Sequence, residues 1–502
     1  MKTHSIKFNF IMNAILTVSS VIFPMITFPY YSRVLGAEGT GSVGFAISVV
    51  AYFTMIASLG IPTYGIRACA KVRDNKEKLS QTVQELLIIN GVTTALMYIA
   101  FFVSISIVPK FAEQKEILMI ASVSIILNTM GVQWLYSALE KYSYITVCTL
   151  VFKVLGVVLM FAFIHKPEDY ILYGGISAIA SYGSGILNFI NMRKYVFLKK
   201  TEPYDFKRHV KPILTFFFMS ASISIYTNLD KVMLGFMKTN VDVGYYDASV
   251  KIKTVLVSVV TSLGTVLLPR MSFYVEKGER EAFQATLTKA VRFVMVAATG
   301  LMTFFILFAR ESILLLSGEE FLPAVLPMQI LMITLLLIGL SNITGIQVLT
   351  PMGQEQKVLV SILAGATIDF ILNLFLIPKY ASTGAAFATV MAELVVLIVQ
   401  CIYLWDIMVK FIKKVGFRKI VLAVICAGVS SLGVQEIIEF STSTFLESLF
   451  ALALEAIVFF GVYGGLLLLL REPIVWEIVN AGLNIVHRKN REEIGSRSRK
   501  RE

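Results

Sequence analysis

The chain has 502 residues, 56% of them hydrophobic and 16% charged, with a mean hydropathy of +0.75 and a formal net charge of +12. Soluble domains carry about 25% charged residues, so this composition excludes a water-soluble globular protein and requires one that meets lipid over most of its length. The excess of lysine and arginine is then first a matter of membrane topology, and only after that of nucleic acid.

A window of about 20 residues, enough to cross some 30 Å of hydrocarbon, predicts about fourteen apolar spans: 9–31, 40–60, 82–108, 115–137, 143–164, 170–190, 212–236, 243–269, 287–309, 321–348, 357–377, 383–404, 418–437 and 446–470. None alternates polar with apolar residues as a barrel strand would, so the expected fold is an all-α integral membrane protein. The first span, "FNFIMNAILTVSSVIFPMITFPYY", follows a short basic opening like a secretory signal. Its apolar part is too long and lacks a small-residue cleavage site, so it reads as an uncleaved span.

Basic residues sort the connections. With the N-terminus in the cytoplasm, only Arg33, Lys110, Lys115, Lys166, Lys238, Arg310 and Lys379 fall outside, and Lys153, Lys231, Lys251 and Lys253 fall within spans. All other lysines and arginines are then cytoplasmic, which predicts an N-in/C-in protein. The terminal "HRKNREEIGSRSRKRE" is expected to rest on anionic lipid and not on nucleic acid. The outside connections are short and leave no room for an extracytoplasmic domain.

The longest inside connection, near Asn191 to Lys211, divides six spans from eight. "RVLGAEGTGSVGFAIS" after the first span resembles "KVMLGFMKTNVDVGYYDAS" after the seventh. Each pairs a Leu-Gly at a helix end with a glycine opening the next helix. An even number of spans separates the copies, so they run in the same direction, as in transporters built of two parallel lobes. The expected organisation is an N-terminal lobe at 1–200 (spans 1–6), a C-terminal lobe at 201–410 (spans 7–12), two extra helices at 411–471 and a basic tail at 472–502.

Some patterns carry no chemistry. Gly39-Thr40-Gly41-Ser42-Val43-Gly44 matches G-x-G-x-x-G, but it follows a membrane helix and not a strand; its glycines suit a tight turn and a close helix approach. Cys69, Cys148, Cys401 and Cys426 show no paired spacing, and His4, His165, His209 and His487 form no cluster, so no disulfide, metal site or cofactor is expected. No hydrolase, kinase or P-loop pattern appears, which argues against an enzyme.

The informative residues are charges inside spans, where each costs several kcal/mol by the lower estimates. Lys251 and Lys253 lie about 12 to 15 Å below the outer end of their helix and Lys153 about 15 Å below its own. Arg33 and the Asp230-Lys231 pair of "SISIYTNLDKVMLGF" lie near the outer surface. Asp247 and Lys251, spaced i, i+4, are expected to pair, whereas Asp230 and Lys231 cannot face each other. Snorkelling would account for Lys231 better than for Lys153 or Lys251. Arg33, Lys153, Lys231, Lys251 and Lys253 pointing into one cleft would make an anion site. Asp369 and Glu393, on successive antiparallel helices, are level in depth. They are expected to share a proton or hold a cation, unless Asp369 is hydrogen-bonded to Asn373 one turn on.

The ordered set "FPYYSRVLGAEGTGSVGFA", "GIPTYGIRACAKVRD", "YTNLDKVMLG" with "VGYYDASVKI", and "NLFLIPKYASTGAAFATVMAE" resembles the Wzx-type polysaccharide flippases of the multidrug/oligosaccharidyl-lipid/polysaccharide exporter superfamily. The likeness runs from about residue 6 to residue 405. It implies a MATE-like architecture of two six-helix lobes and a carrier that moves undecaprenyl-diphosphate-linked oligosaccharide repeat units to the outer leaflet. It also implies a basic central cavity, in agreement with Arg33, Lys153, Lys251 and Lys253 as read above; the acids Asp230, Asp247, Asp369 and Glu393 are candidate coupling residues on the reading of the residues alone. A proton gradient, a sodium gradient or the membrane potential could supply the energy, and membrane lipids and the polysaccharide polymerase machinery are the expected partners. A lipid II flippase, a multidrug cation antiporter and a membrane polymerase are the competing readings. The antiporter would need a cavity of the opposite sign, and the polymerase a sizeable outer loop.

Overall fold

The computed structural model describes residues 6–197, 199–200, 203–405, 417–437, 445–477 and 479–480. Most of the basic tail at 472–502 and the lysines at 410, 413 and 414 lie outside these residues. The described chain is helical and contains no strand. Eleven of its helices are long and apolar enough to cross a membrane. Each of the fourteen predicted stretches is predominantly helical, two helices holding two stretches apiece.

The elements follow the sequence's own punctuation. α1 (Ile6–Ser58) is interrupted at Gly36, whose φ of 67° lies in the left-handed region that glycine alone enters without strain. The helix restarts with a borrowed cap, the backbone N–H of Ala37 donating to Glu320 Oε1 at 2.8 Å, a favourable place for a carboxylate. Then come α2 (Ile61–Val72) and α3 (Lys76–Ile107). Asn75 caps α3 by accepting from the backbone N–H groups of Glu77 and Lys78, both at 3.0 Å. Val108 is extended, as a residue before proline prefers, and Pro109 opens α4 (Pro109–Glu113).

α5 (Lys115–Met130), α6 (Gln133–Ala138) and α7 (Tyr142–Phe163) follow, and the stretch predicted at 170–190 divides into α8 (Tyr170–Tyr182) and α9 (Ser184–Asn191). Between α7 and α8, Asp169 accepts the backbone N–H groups of His165 and Lys166 at 2.9 and 3.1 Å, which holds its carboxyl below the usual range. α10 (Lys207–Met237), α11 (Asn240–Lys277), α12 (Arg280–Leu307) and α13 (Ala309–Ser317) come next. α14 (Val325–Met332) and α15 (Thr334–Asn342) precede a π-helical turn at Ile343–Leu349.

α16 (Glu355–Tyr403) breaks at Ala381, with φ 47°. A side chain on Gly384 would meet the carbonyl of Leu376 at 2.5 Å, although eight residues of straight helix span about 12 Å, so the chain folds back at this break. α17 (Phe417–Ile437) and α18 (Phe445–Leu469) complete the set.

The chain forms two compact units, with the cuts falling inside α11, α13, α14 and α16. The first comprises Met1–Val255, Leu316–Leu331 and Leu359–Val395. Within it the two copies of the repeat meet in backbone contact: a side chain on Gly41 would strike the carbonyl of Asn240, and one on Gly244 the carbonyl of Ala37. Gly41 of the discounted motif thus serves close helix approach. On α7 the stripe Val151, Val154, Val158 and Phe161 is exposed, as expected of a face whose solvent is lipid, while Thr149, Gly156 and Met160 turn inward. The second unit comprises Leu256–Leu315, Met332–Val358 and Val396–Glu502. Its core packs Phe304 and Phe308 of α12 and its C-cap against Phe459 and Tyr463 of α18 and Ile420, Ala423 and Ala427 of α17.

Candidate functional site

The first unit holds a cavity of about 540 Å³ between α1, α7, α8 and α11, within the size range of small-molecule sites. Its two cations are Lys153 and Lys251. Lys153 Nζ donates to the hydroxyls of Ser19 and Ser20 at 2.9 and 3.1 Å and lies 5.9 Å from the ring centre of Phe23. Among the described residues no carboxylate comes within 4.0 Å of either ammonium. Tyr31 and Tyr173 line the same space, their rings 4.3 Å apart between centres.

The other predicted cations go elsewhere. Arg33 is exposed, donates to the carbonyl of Pro29 at 2.8 Å and does not line the cavity. Lys231 of α10 pairs with Asp247 of α11. The expected Asp247–Lys251 pair is therefore replaced: Asp247 turns to the neighbouring helix, and Lys251 stays in its electrostatic reach while facing the cavity. The adjacent charges of α10 separate in the same way. Lys231 takes Asp247, and Asp230 turns into the packing of α10, α11 and α16.

There Asp230 is 7% exposed and heavily bonded. Its Oδ1 accepts from Asn373 Nδ2 at 2.6 Å, and its Oδ2 accepts from Thr389 Oγ1 at 2.9 Å and from the hydroxyl of Tyr246. Asn373 thus serves Asp230 and not Asp369, so the alternative that the sequence left open for Asp369 does not occur. Asp369, 1% exposed, stands beside Asp230, and Glu393, 7% exposed, stands beside Tyr226. Lys253 is in electrostatic reach of Glu393, Asp230 and Asp369 together. Three carboxyl groups meet one ammonium, so if all ionised they would leave net negative charge in a buried place. Oδ1 of Asp369 and Oδ1 of Asn373 are buried without a hydrogen-bond partner. Free acceptor oxygens and excess acid together suit a bound proton or monovalent cation.

Sequence reasoning missed the hydroxyls of Tyr246 and Thr389, since such groups are common in membrane helices and nothing local marks their partner. It also missed a buried clasp. Glu85 of α3 is 0% exposed and accepts from Arg208 Nη2 at 2.5 Å and from the backbone N–H of Asp205 at 2.7 Å. His209 bridges Glu85 and Tyr64, Nε2 lying 2.7 Å from Oε2 and Nδ1 2.8 Å from the phenol. A lone carboxylate in an apolar run was the available signal.

Comparison with known proteins places these features in a wider frame. A family profile described as "Polysaccharide biosynthesis protein" matches residues 6–275. The chain is 22% identical over 405 residues to the "Putative O-antigen transporter" of Escherichia coli (strain K12), covering 78% of this chain and 95% of that relative. Among solved structures it is similar to the lipid II flippase MurJ in an inward closed conformation, with a TM-score of 0.67 and 15% identity over 90% of this chain and 98% of that one. An inward-facing multidrug resistance MATE family transporter of the MOP superfamily gives a TM-score of 0.61 and 15% identity, over 81% of this chain and 99% of that one. At this identity the two structures establish the fold alone, an all-α membrane architecture.

Proposed function

Because the chain belongs to the polysaccharide biosynthesis protein family, we propose that it is a flippase that carries a lipid-linked oligosaccharide, held on undecaprenyl diphosphate, from the cytoplasmic to the outer leaflet of the cell membrane for surface polysaccharide synthesis. The supporting observation is the pair of lysines that share a cavity without a carboxylate partner. A diphosphate offers several acceptor oxygens and negative charge, and an ammonium held by hydroxyls alone can exchange those bonds for stronger charge-assisted ones. Lys153 and Lys251 are assigned to the diphosphate. Arg33, Lys231 and Lys253 act through the field around α1, α10 and α11. Asp230, Asp247, Asp369 and Glu393 form the acidic side of the mechanism.

Only the head group needs shelter, because the polyprenyl tail remains in lipid. Alternating access rocks the lobe at 1–200 against the lobe at 201–410, with Pro24 and Pro29 as bend points, both termini cytoplasmic, and 411–471 as added helices. A membrane negative inside favours outward movement of an anion by about 2.3 kcal/mol per charge at 100 mV. A proton or Na⁺ at Asp369 and Glu393 then serves to reset the empty carrier with its cationic cavity compensated. The polymerase that consumes the flipped unit is the expected partner.

Reconstitution tests this reading. Purified protein in liposomes should move lipid-linked oligosaccharide across the bilayer and leave free sugar and organic cations behind. Transport of organic cations alone would replace it with the antiporter reading. A preference for lipid II over longer oligosaccharide carriers would change the cargo and keep the diphosphate chemistry.

A further inference from the structure

Two carboxyl groups of the second unit have no part in the scheme above. Glu455, ten residues into α18, is 0% exposed, and neither of its carboxyl oxygens has a hydrogen-bond partner. One turn to either side on the same face, Ala451 and Phe459 are also 0% exposed. Glu311 of α13 is 8% exposed, and its Oε1 accepts from Nε2 of Gln435, in the last turn of α17, at 3.1 Å. Among the described residues the ionisable group that acts on Glu455 is Glu311, of the same sign, and no cation lies within 4.0 Å of either.

A bare carboxylate without hydrogen bonds in such surroundings costs several kcal/mol, so the position must hold either a proton or a cation. The donor set decides between them. Hard metal ions gather about six or more oxygens in an ordered shell, whereas two carboxyls and one amide supply fewer. No group of three or more acidic, histidine or cysteine side chains suited to a metal occurs among the described residues. A proton needs a single oxygen.

We infer that Glu455 is a proton-binding site in the second unit, with the proton resident on its carboxyl, and that Glu311, held by Gln435, sets the pH at which that proton leaves. The site shares no residue with Asp230, Asp369 and Glu393, and it stands whatever the cargo proves to be. It gives the chain a second element able to respond to pH.

Infrared spectroscopy of the purified full-length protein in lipid nanodiscs tests this. The difference spectrum of wild type minus Glu455→Gln should show a buried carboxylic acid C=O band at neutral pH that is unchanged by Na⁺. The same variant should keep the wild-type melting temperature within a few degrees, since one neutral group replaces another. Glu311→Gln should keep the band and displace the pH at which it is lost. A wild type minus Glu455→Gln difference spectrum with no such band at neutral pH, or a difference band that disappears on adding Na⁺ at constant pH, would overturn the assignment. So would a Glu311→Gln titration identical to wild type, which also serves if Glu455→Gln fails to fold.

Discussion

Lys251 and Lys253 stand two residues apart on α11, yet their surroundings differ in kind. Lys251 faces a cavity whose other cation, Lys153, is held by serine hydroxyls. Lys253 lies in electrostatic reach of three carboxyl groups. Two positions along a helix turn through about 200°, so one helix presents opposite chemistry on its two sides. The sign of a membrane cavity is therefore set by where each charge points around its helix and not by how many charges its spans contain.

Removing the cations on one side and then the other breaks the comparison most directly. Replacing both Lys153 and Lys251 by Ala should reduce flipping in proteoliposomes by about 100-fold or more, taking 1.5–3 kcal/mol for each charge-assisted bond to phosphate. Membrane insertion and melting temperature should stay close to wild type. Unchanged flux would make both lysines structural. On the other side, Lys253→Met should lower stability by about 1–3 kcal/mol, the cost of leaving buried polar groups uncompensated, measured by thermal unfolding in detergent. An equal loss of stability on mutating Lys251 would erase the distinction between the two faces.

A smaller effect on rate separates driving from resetting. Asp369→Asn combined with Glu393→Gln should abolish the response of flux to an imposed pH or sodium gradient while leaving a potential-driven flux several-fold slower. The flux is read with the membrane potential clamped and each gradient applied in turn. A wild-type gradient response in this variant would move the coupling site elsewhere. The mildest change sharpens the comparison: arginine at 153 or 251 keeps charge and donors, so flux should fall by only about two- to five-fold, and Gln at the same positions should do worse. Equal flux in the Arg and Gln variants would show that charge is not what these positions supply.

Much of the fold was legible because apolar runs of about 20 residues have few alternatives in lipid. The break at Gly36 was announced by its Leu-Gly and by the repeat. The break at Ala381 falls between the spans predicted at 357–377 and 383–404; that an alanine takes the positive φ was not announced, since its context holds it there. The site was legible charge by charge but not pair by pair. Asp247 could choose between Lys251 on its own helix and Lys231 on the next, and helix packing made the choice. Asn373 likewise had two carboxylates in reach. Glu85 and Glu455 stood as lone acids in predicted spans; that pattern requires some compensation and leaves open whether another side chain or a proton provides it.

The Glu85 clasp also has a bearing on biogenesis. Glu85 and Arg208 are separated by 123 positions, and a ribosome adding ~5–20 residues per second delivers the second about 6 to 25 s after the first. Throughout that interval α3 is made, yet the side chains that receive its carboxylate, Arg208 and His209, do not exist. Both also lie beyond residue 190, where the sixth predicted span ends. A nascent fragment stopped there carries an acid prepared for a partner still to be translated, and α3 can complete this buried contact only after α10 begins to emerge.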